Sequence, residues 1–330
     1  VSEKDILERW EREKPLYRAW ASLIGHEIER RLVPAIAPTP LGYFLKVPME
    51  PRLKGDTSLI DKALYRGKPY KDPYGDITDK VGMRYVVLLT THIAQFISII
   101  ESQECGAFWG WSKDKDYEAE RLAKPLEFAY QSVHYVLRSK AGLSFGGVDI
   151  PEGIACEVQI RTLLQHAHSE LTHDTLYKPK TTAQPSVKRT VAKSMALIEA
   201  TDEFFEQAMR DLAVASEPQR QLLDYLAATY KTGTGLEPGQ ERSNQLVIDA
   251  FMELLPADVI ALLEAFLKEK NYVFEKIKGQ NGQRHFFNQP TVLLAYFMAE
   301  NMPARTREHW PISADDLAKV FSDLGKKYDG

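Results

Sequence analysis

The stretch Cys156-Glu157-Val158-Gln159-Ile160-Arg161, CEVQIR, alternates strictly between apolar and polar residues. A period of two is the signature of a strand whose successive side chains point to opposite faces. Cys156, Val158 and Ile160 therefore share one face, and Glu157, Gln159 and Arg161 share the other. A half-buried strand usually carries Thr, Ser or Lys on its wet side. Here a carboxylate, an amide and a guanidinium stand in a row. A single glutamate in such a place is more often solvated or salt-bridged than catalytic, so the residues around it decide the reading.

Working outward, the pattern alternates between helix and strand. Residues 3–31 read as a helix kinked or divided at Pro15. Residues 43–49 have period two, and Pro48 and Pro51 place them at a sheet edge or bulge. Residues 57–66 read as a short helix capped by Asp56 or Thr57. The nearly continuous apolar run 81–89 reads as a strand buried on both faces. Residues 91–103 come next as a helix, 130–138 and 153–161 as strands, and 162–177 as a helix. This alternation predicts an α/β (α+β) domain, a mixed β-sheet flanked by helices. Beyond 180 the strand signal fades. Helices are expected at 184–213, 217–230, 245–254, 256–269, 289–301 and 313–324, with YVFEKI (272–277) as a short strand-like piece. The Gly- and Pro-containing segment 232–244 reads as a linker. It separates a first domain, 1–231, from a mainly helical accessory domain, 245–330.

Composition bounds the possibilities. The chain has 330 residues, 44% hydrophobic and 27% charged, enough to bury a core without metal or disulfide staples. A formal net charge of -4 argues against a protein that coats nucleic acid generally. The two cysteines, Cys105 and Cys156, form no CxxC pattern, which excludes a zinc ribbon and fits a reducing cytosol. No apolar run reaches membrane-spanning length. The opening residues lack a basic region followed by an apolar core, so no signal peptide is expected there.

Three features give CEVQIR chemical company. Asp79 directly precedes the buried strand at 81, and two carboxylates on neighbouring strands suit Mg2+ when water and phosphate oxygens complete its shell. Arg52 and Lys54, two apart in an extended segment, share a face, and Lys62 lies on the next helix. Basic groups from adjacent elements can converge on one polyphosphate. In AYQSVHYVL (129–137), Tyr130, Ser132 and His134 share a face, and an aromatic at a strand start can stack on a purine. Any one of these alone is commonly surface charge, a loop cap or a core-edge tyrosine.

Taken in order, these motifs carry a resemblance. The sequence runs R-x-K (Arg52, Lys54), S-x-x-x-K (Ser58 to Lys62), D-x-x-G-x-R (Asp79, Gly82, Arg84) and Y-x-S-x-H (Tyr130, Ser132, His134). It continues with E-V-Q-I-R-T (157–162) and Q-H-A-x-x-E-x-x-H-D-x-x-Y-K-P (165–179). Over about residues 43–180 this resembles the synthetase domain of the RelA/SpoT family, nearest in appearance to its small alarmone synthetases and their toxin relatives. The resemblance implies a nucleotidyltransferase-like fold and transfer of the β,γ-diphosphate of ATP to the 3′-hydroxyl of a purine nucleotide, leaving AMP. It implies that Arg52, Lys54, Lys62 and Arg84 hold the ATP phosphates. Asp79 and Glu157 would bind Mg2+, with Glu157 also the base for the hydroxyl. Tyr130 would stack on the acceptor base, Lys124 would match a lysine of the same loop, and His134, Gln159 and Arg161 would orient groups around the site.

Three positions depart from the family pattern. The family's Asn-Gly before the stacking tyrosine is Phe128-Ala129 here, and its tryptophan in the later helix is His168. The expected acceptor is GDP or GTP. The altered loop keeps an alternative, the same chemistry on an adenine nucleotide or the CCA end of tRNA, as in a toxin. Arg30, Arg31, Lys178, Lys180, Lys188 and Arg189 could serve tRNA, although such charges are usually a solvated face. A third alternative is a nucleotide-sensing module without catalysis. His166, Glu170, His173 and Tyr177 share a helical face; this is not HExxH and reads as support more than as a metal site. No hydrolase module is expected, since His26 is the only histidine before residue 43. Synthetases of this type often form homo-oligomers, and residues 245–330 are open between a regulatory cap, an oligomerisation element, a partner-binding domain and an antitoxin-like segment.

Overall fold

The computed structural model describes residues 2–128, 132–172 and 184–328. The chain divides into two compact units, Val1–Met209 and Arg210–Gly330.

The first unit opens with helix α1 (Glu3–Ala35), started by a capping box in which Ser2 and Asp5 exchange side chain-to-backbone bonds. The helix runs on through Pro15 rather than dividing there. Trp10, Tyr17, Trp20, Ile24, Ile28 and Leu32 form one buried face, and packing along that face outweighs the single hydrogen bond that proline removes. A short turn of helix, α2 (Leu41–Phe44), comes next. The strand expected at 43–49 does not form. Lys46 N–H donates to Val86 O at 2.8 Å, but the regular ladder begins only at β1 (Arg52–Leu53), because Pro48 and Pro51 lack the N–H groups a continuous ladder needs. Helix α3 (Asp56–Ile60) continues as one widened turn over Asp61–Tyr65.

Strand β2 (Val81–Val87) leads to α4 (Thr90–Ile100). Strand β3 (Trp109–Asp116), which periodicity did not announce, is followed by α5 (Tyr117–Ala123). WGWSKDKD carries no apolar alternation because β3 is the sheet's edge, where charges discourage further pairing. Next come β4 (Val133–Ser139) and a hairpin of β5 (Leu143–Phe145) and β6 (Val148–Ile150). Its two-residue turn is Gly146-Gly147, both at positive φ as a tight hairpin requires. Strand β7 (Ala155–Thr162) is CEVQIR with one residue added at each end, and α6 (Leu163–Thr172) succeeds it directly.

The five-stranded sheet has the order β1-β2-β7-β4-β3, with β2 and β7 parallel and the other pairs antiparallel. It is therefore a mixed sheet flanked by helices. Val81, Met83, Tyr85, Cys156, Val158, Ile160, Val133, Tyr135 and Leu137 share the face that joins α1 and α4 in one core. Strand β2 is not buried on both faces: Gly82 and Arg84 are half-exposed on the opposite side.

Helix α7 (Pro185–Thr234) is one helix where two were expected, and it crosses the boundary between the units. Pro218 falls in an exposed stretch, where solvent can satisfy the carbonyl left without a partner. In the second unit, Leu222, Leu226 and Tyr230 of α7 join a core with α8 (Arg242–Phe251), α9 (Val259–Glu269), α10 (Tyr272–Gln280), α11 (Val292–Asn301) and α13 (Ala314–Asp323), and α12 (Pro303–His309) packs beside α11. The only break between α7 and α8 is 235–241, inside this unit. YVFEKI is helical in α10, not a strand: Val273 and Ile277, four apart, are its two buried residues. Among the described residues, no helix is long and apolar enough to cross a membrane.

Candidate active site

The polar face of the sheet forms the floor of a cleft of about 690 Å³. Register builds it. Glu157 of β7 pairs with Gly82 of β2, which in turn pairs with Arg52 of β1. One step along β7, Gln159 pairs with Arg84 of β2 and His134 of β4, and His134 pairs with Lys115 of β3. Directly opposed residues on neighbouring strands share a face. Lys115, His134, Gln159 and Arg84 thus form one row across the sheet, beside a second row of Glu157, Gly82 and Arg52.

At one end, Asp79 Oδ2 accepts from Lys54 Nζ at 2.8 Å and lies 2.9 Å from Lys62 Nζ. Burial raises the Asp79 carboxyl pKa, but the two lysines outweigh it and hold the group ionised, below its ordinary value. Its other oxygen, Oδ1, is buried with no hydrogen-bond partner among the described residues. In the middle, Glu157 Oε2 accepts from Gln159 Nε2 at 3.0 Å, and His134 Nδ1 lies 3.4 Å from Oε1. Burial pushes Glu157 up and Asp79 pushes it the same way, yet His134 and Gln159 bring it below the usual value. At the other end the fully buried Arg161 donates to Gln159 Oε1 and to Ser169 Oγ on α6. Arg84 Nη1 donates to Glu170 Oε1 at 2.9 Å.

Of the residues singled out from sequence, Arg52, Lys54, Asp79, Arg84, His134, Glu157, Gln159 and Arg161 line this cleft, and Lys62 reaches it through Asp79. Lys124 does not line it; the side chain is exposed and pairs with Glu127 at 3.2 Å. Tyr130 lies outside the described residues, as do His173, Tyr177, Lys178 and Lys180. His166 Nδ1 is 3.7 Å from Glu170, and among the described residues no group of three or more His, Cys, Asp or Glu is placed to hold a metal. Arg30 and Arg31 are both paired with Glu27 on their own helix.

Sequence reading missed Glu50, Arg66, Lys115 and Ser169 in the lining. Lys115 is the most consequential: burial lowers its pKa against the pull of Glu120, and it brings a cation to the row of His134 and Gln159. The alternation of Lys113, Lys115 and Asp114, Asp116 was its only signal.

The family described as "Region found in RelA / SpoT proteins" matches residues 51–182. No curated protein matches the chain. Among solved structures, small alarmone synthetase 1 from Bacillus subtilis is similar at 18% identity, over 62% of this chain and 98% of its own, with a TM-score of 0.46. A GTP pyrophosphokinase family protein from Streptococcus pneumoniae is similar at 21% identity, over 63% and 96%, with a TM-score of 0.48. The Bacillus subtilis synthetase 1 bound to its product pppGpp is similar at 20% identity, over 62% and 98%, with a TM-score of 0.47. The cleft lies almost wholly within residues 51–182, the segment that matches this family's model.

Proposed function

We propose that the chain is an ATP-dependent 3′-pyrophosphokinase that transfers the β,γ-diphosphate of ATP to the 3′-hydroxyl of GDP or GTP. The observation that carries this reading is the pairing of Asp79, held by Lys54 and Lys62, with the ionised Glu157 along one polar sheet face. Phosphoryl-type transfer needs positioning and charge neutralisation more than covalent help from the protein. The cleft offers both. Arg52, Lys54 and Lys62 supply positive charge at the β1 and α3 side for the donor's phosphates. Lys115 and His134 supply cationic and hydrogen-bonding groups at the β3 and β4 side for the acceptor.

Asp79 and Glu157 fit a magnesium ion. Both present hard, ionised oxygens, and the buried Asp79 Oδ1 is free of hydrogen-bond partners among the described residues. When bound, the ion would neutralise phosphate charge and make a nearby hydroxyl easier to deprotonate. In the reaction the acceptor's 3′-oxygen attacks the β-phosphorus, the bond from that phosphorus to the α-bridging oxygen breaks, and AMP leaves. Glu157 takes the hydroxyl proton. Gln159 and His134 hold the Glu157 carboxylate in place, and Arg161 in turn holds Gln159.

The test is transfer of label from ATP carrying it on the γ-phosphate, with Mg2+, to GDP, GTP, ADP, ATP and bulk tRNA in parallel. Label is expected on a guanine nucleotide, with a loss of about a thousandfold in Glu157→Gln. Label only on tRNA or adenine nucleotides would replace the acceptor assignment, and no transfer to any acceptor would overturn the activity.

A further inference from the structure

The cleft's polar row continues into the body of the first unit through residues that the reaction does not use. Thr162 ends β7 and starts α6 with a reciprocal cap. Its N–H donates to Gln165 Oε1 at 3.0 Å, and its Oγ1 accepts from Gln165 N at 3.1 Å. The hydroxyl's single proton goes to Asp202 Oδ2 on α7, at 2.9 Å. Both side chains are buried. One helical turn on, Glu206 accepts from Thr91 N at 2.7 Å and from Thr90 Oγ1 at 2.9 Å, holding the start of α4. Strand β2 leads into α4, and its last residue, Val87, is paired with Thr162. Two carboxylates of α7 therefore hold the adjacent ends of the two parallel strands that carry Arg84, Glu157, Gln159 and Arg161.

We propose that Asp202 is a positioning residue for this site: by fixing the Thr162 hydroxyl it sets the β7–α6 junction, and with it the alignment of Arg161, Gln159 and Glu157. The inference rests on the proposed diphosphate transfer. The path is continuous. Arg161 precedes Thr162 in the chain, and its guanidinium bonds both Ser169 of α6 and Gln159 of β7. Gln159 then donates to Glu157. A shift of α6 relative to β7 would pull Ser169 from Arg161 and loosen the Gln159 bond that holds the Glu157 carboxylate. Asp202 is not among the residues that line the cleft, and its hydrogen bond to Thr162 is the link between it and the strand that carries Glu157. Burial pushes the Asp202 carboxyl up to about 6, against the pull of the Thr162 hydroxyl. An isosteric amide would keep the accepting oxygen and avoid the burial of charge.

The experiment uses the full chain with Asp202→Ala, Asp202→Asn, Thr162→Val and Thr162→Ser, and two readouts. The first is kcat and KM for ATP. Asp202→Ala and Thr162→Val should lower kcat by about tenfold to a hundredfold with KM within about twofold. Asp202→Asn and Thr162→Ser should stay within about threefold of the parent chain in both. The second is hydrogen exchange of peptides spanning 157–172, which needs no activity. Exchange should accelerate in Asp202→Ala and Thr162→Val and stay at the parent rate in the two conservative variants. Unchanged kcat and exchange in Asp202→Ala would overturn the proposal, as would equal damage in Asp202→Asn and Asp202→Ala. If the parent chain itself transfers nothing, the functional reading fails, and the exchange pattern alone decides the positioning role.

Discussion

Asp79→Asn should make the protein bind a polyphosphate more tightly when no divalent ion is present. The reason lies in how the cleft is neutralised. Lys54 and Lys62 both point at one oxygen of Asp79, at 2.8 and 2.9 Å, and all three side chains are only about one-fifth exposed. A polyphosphate that recruits these lysines must draw them from Asp79 and settle beside its charge. A unit charge about 6 Å from a phosphate oxygen costs roughly 3 kcal/mol at an effective dielectric of 20 and below about 1 kcal/mol in bulk water. A one-fifth-exposed site lies between these limits, at about 1.5 kcal/mol, or about tenfold in affinity. The measurement is calorimetric titration of inorganic tripolyphosphate into both proteins, in chelator and low salt. Mg2+-dependent transfer should be lost in the same variant. Equal or weaker tripolyphosphate binding by a folded Asp79→Asn would refute the assignment of Lys54 and Lys62 to the phosphates, whatever became of the activity.

Two further outcomes are expected. Lys80 is buried, donates to the carbonyls of Tyr74 and Ile77 at 2.8 and 2.7 Å, and has its pKa lowered to about 8 by burial. Between pH 8 and the unfolded value of 10.5 the unfolded chain binds this proton more strongly, so stability rises with pH across that window, by at most about 3 kcal/mol. Lys80→Met should flatten that rise and lower stability at pH 7 through the orphaned carbonyls, read by urea unfolding with tryptophan fluorescence. An unaltered pH profile would show that Lys80 is not the titrating group. Gly82 sits in register between Arg52 and Glu157, and a Cβ there would come no nearer than 3.6 Å to the Glu157 carbonyl. Gly82→Ala should fold normally, whereas the branched side chain of Gly82→Val should cut ATP affinity about tenfold or more without lowering the melting temperature appreciably. Parent-like ATP binding by Gly82→Val would place the phosphates elsewhere.

The alternation in CEVQIR placed Glu157 and Gln159 opposite Cys156, Val158 and Ile160, and the structure keeps that division. Period two is a local property of the strand backbone, so it survives any tertiary context. The gathering of Arg52, Lys54, Lys62 and Asp79 was also readable, because all four lie within 28 residues and flank two short elements. What failed was governed by distant partners. The segment at 43–49 alternates like a strand, but Pro48 within it and Pro51 just after it withhold donors that a continuous ladder would need. YVFEKI has β-prone residues, yet its second-unit core selects Val273 and Ile277 at helical spacing.

By itself, then, the amino-acid order determined a polar-faced strand, a cluster of phosphate-suited charges before it and helices around both. These are short-range patterns of sterics and charge. Only the tertiary structure decided that β3 would bring Lys115 beside His134 and that Arg161 would be buried against Ser169. It also decided that Asp202, 40 residues beyond Thr162, would hold the strand's end. Strand register and helix docking pair residues far apart in the chain, and such pairings leave no period in the sequence to be read.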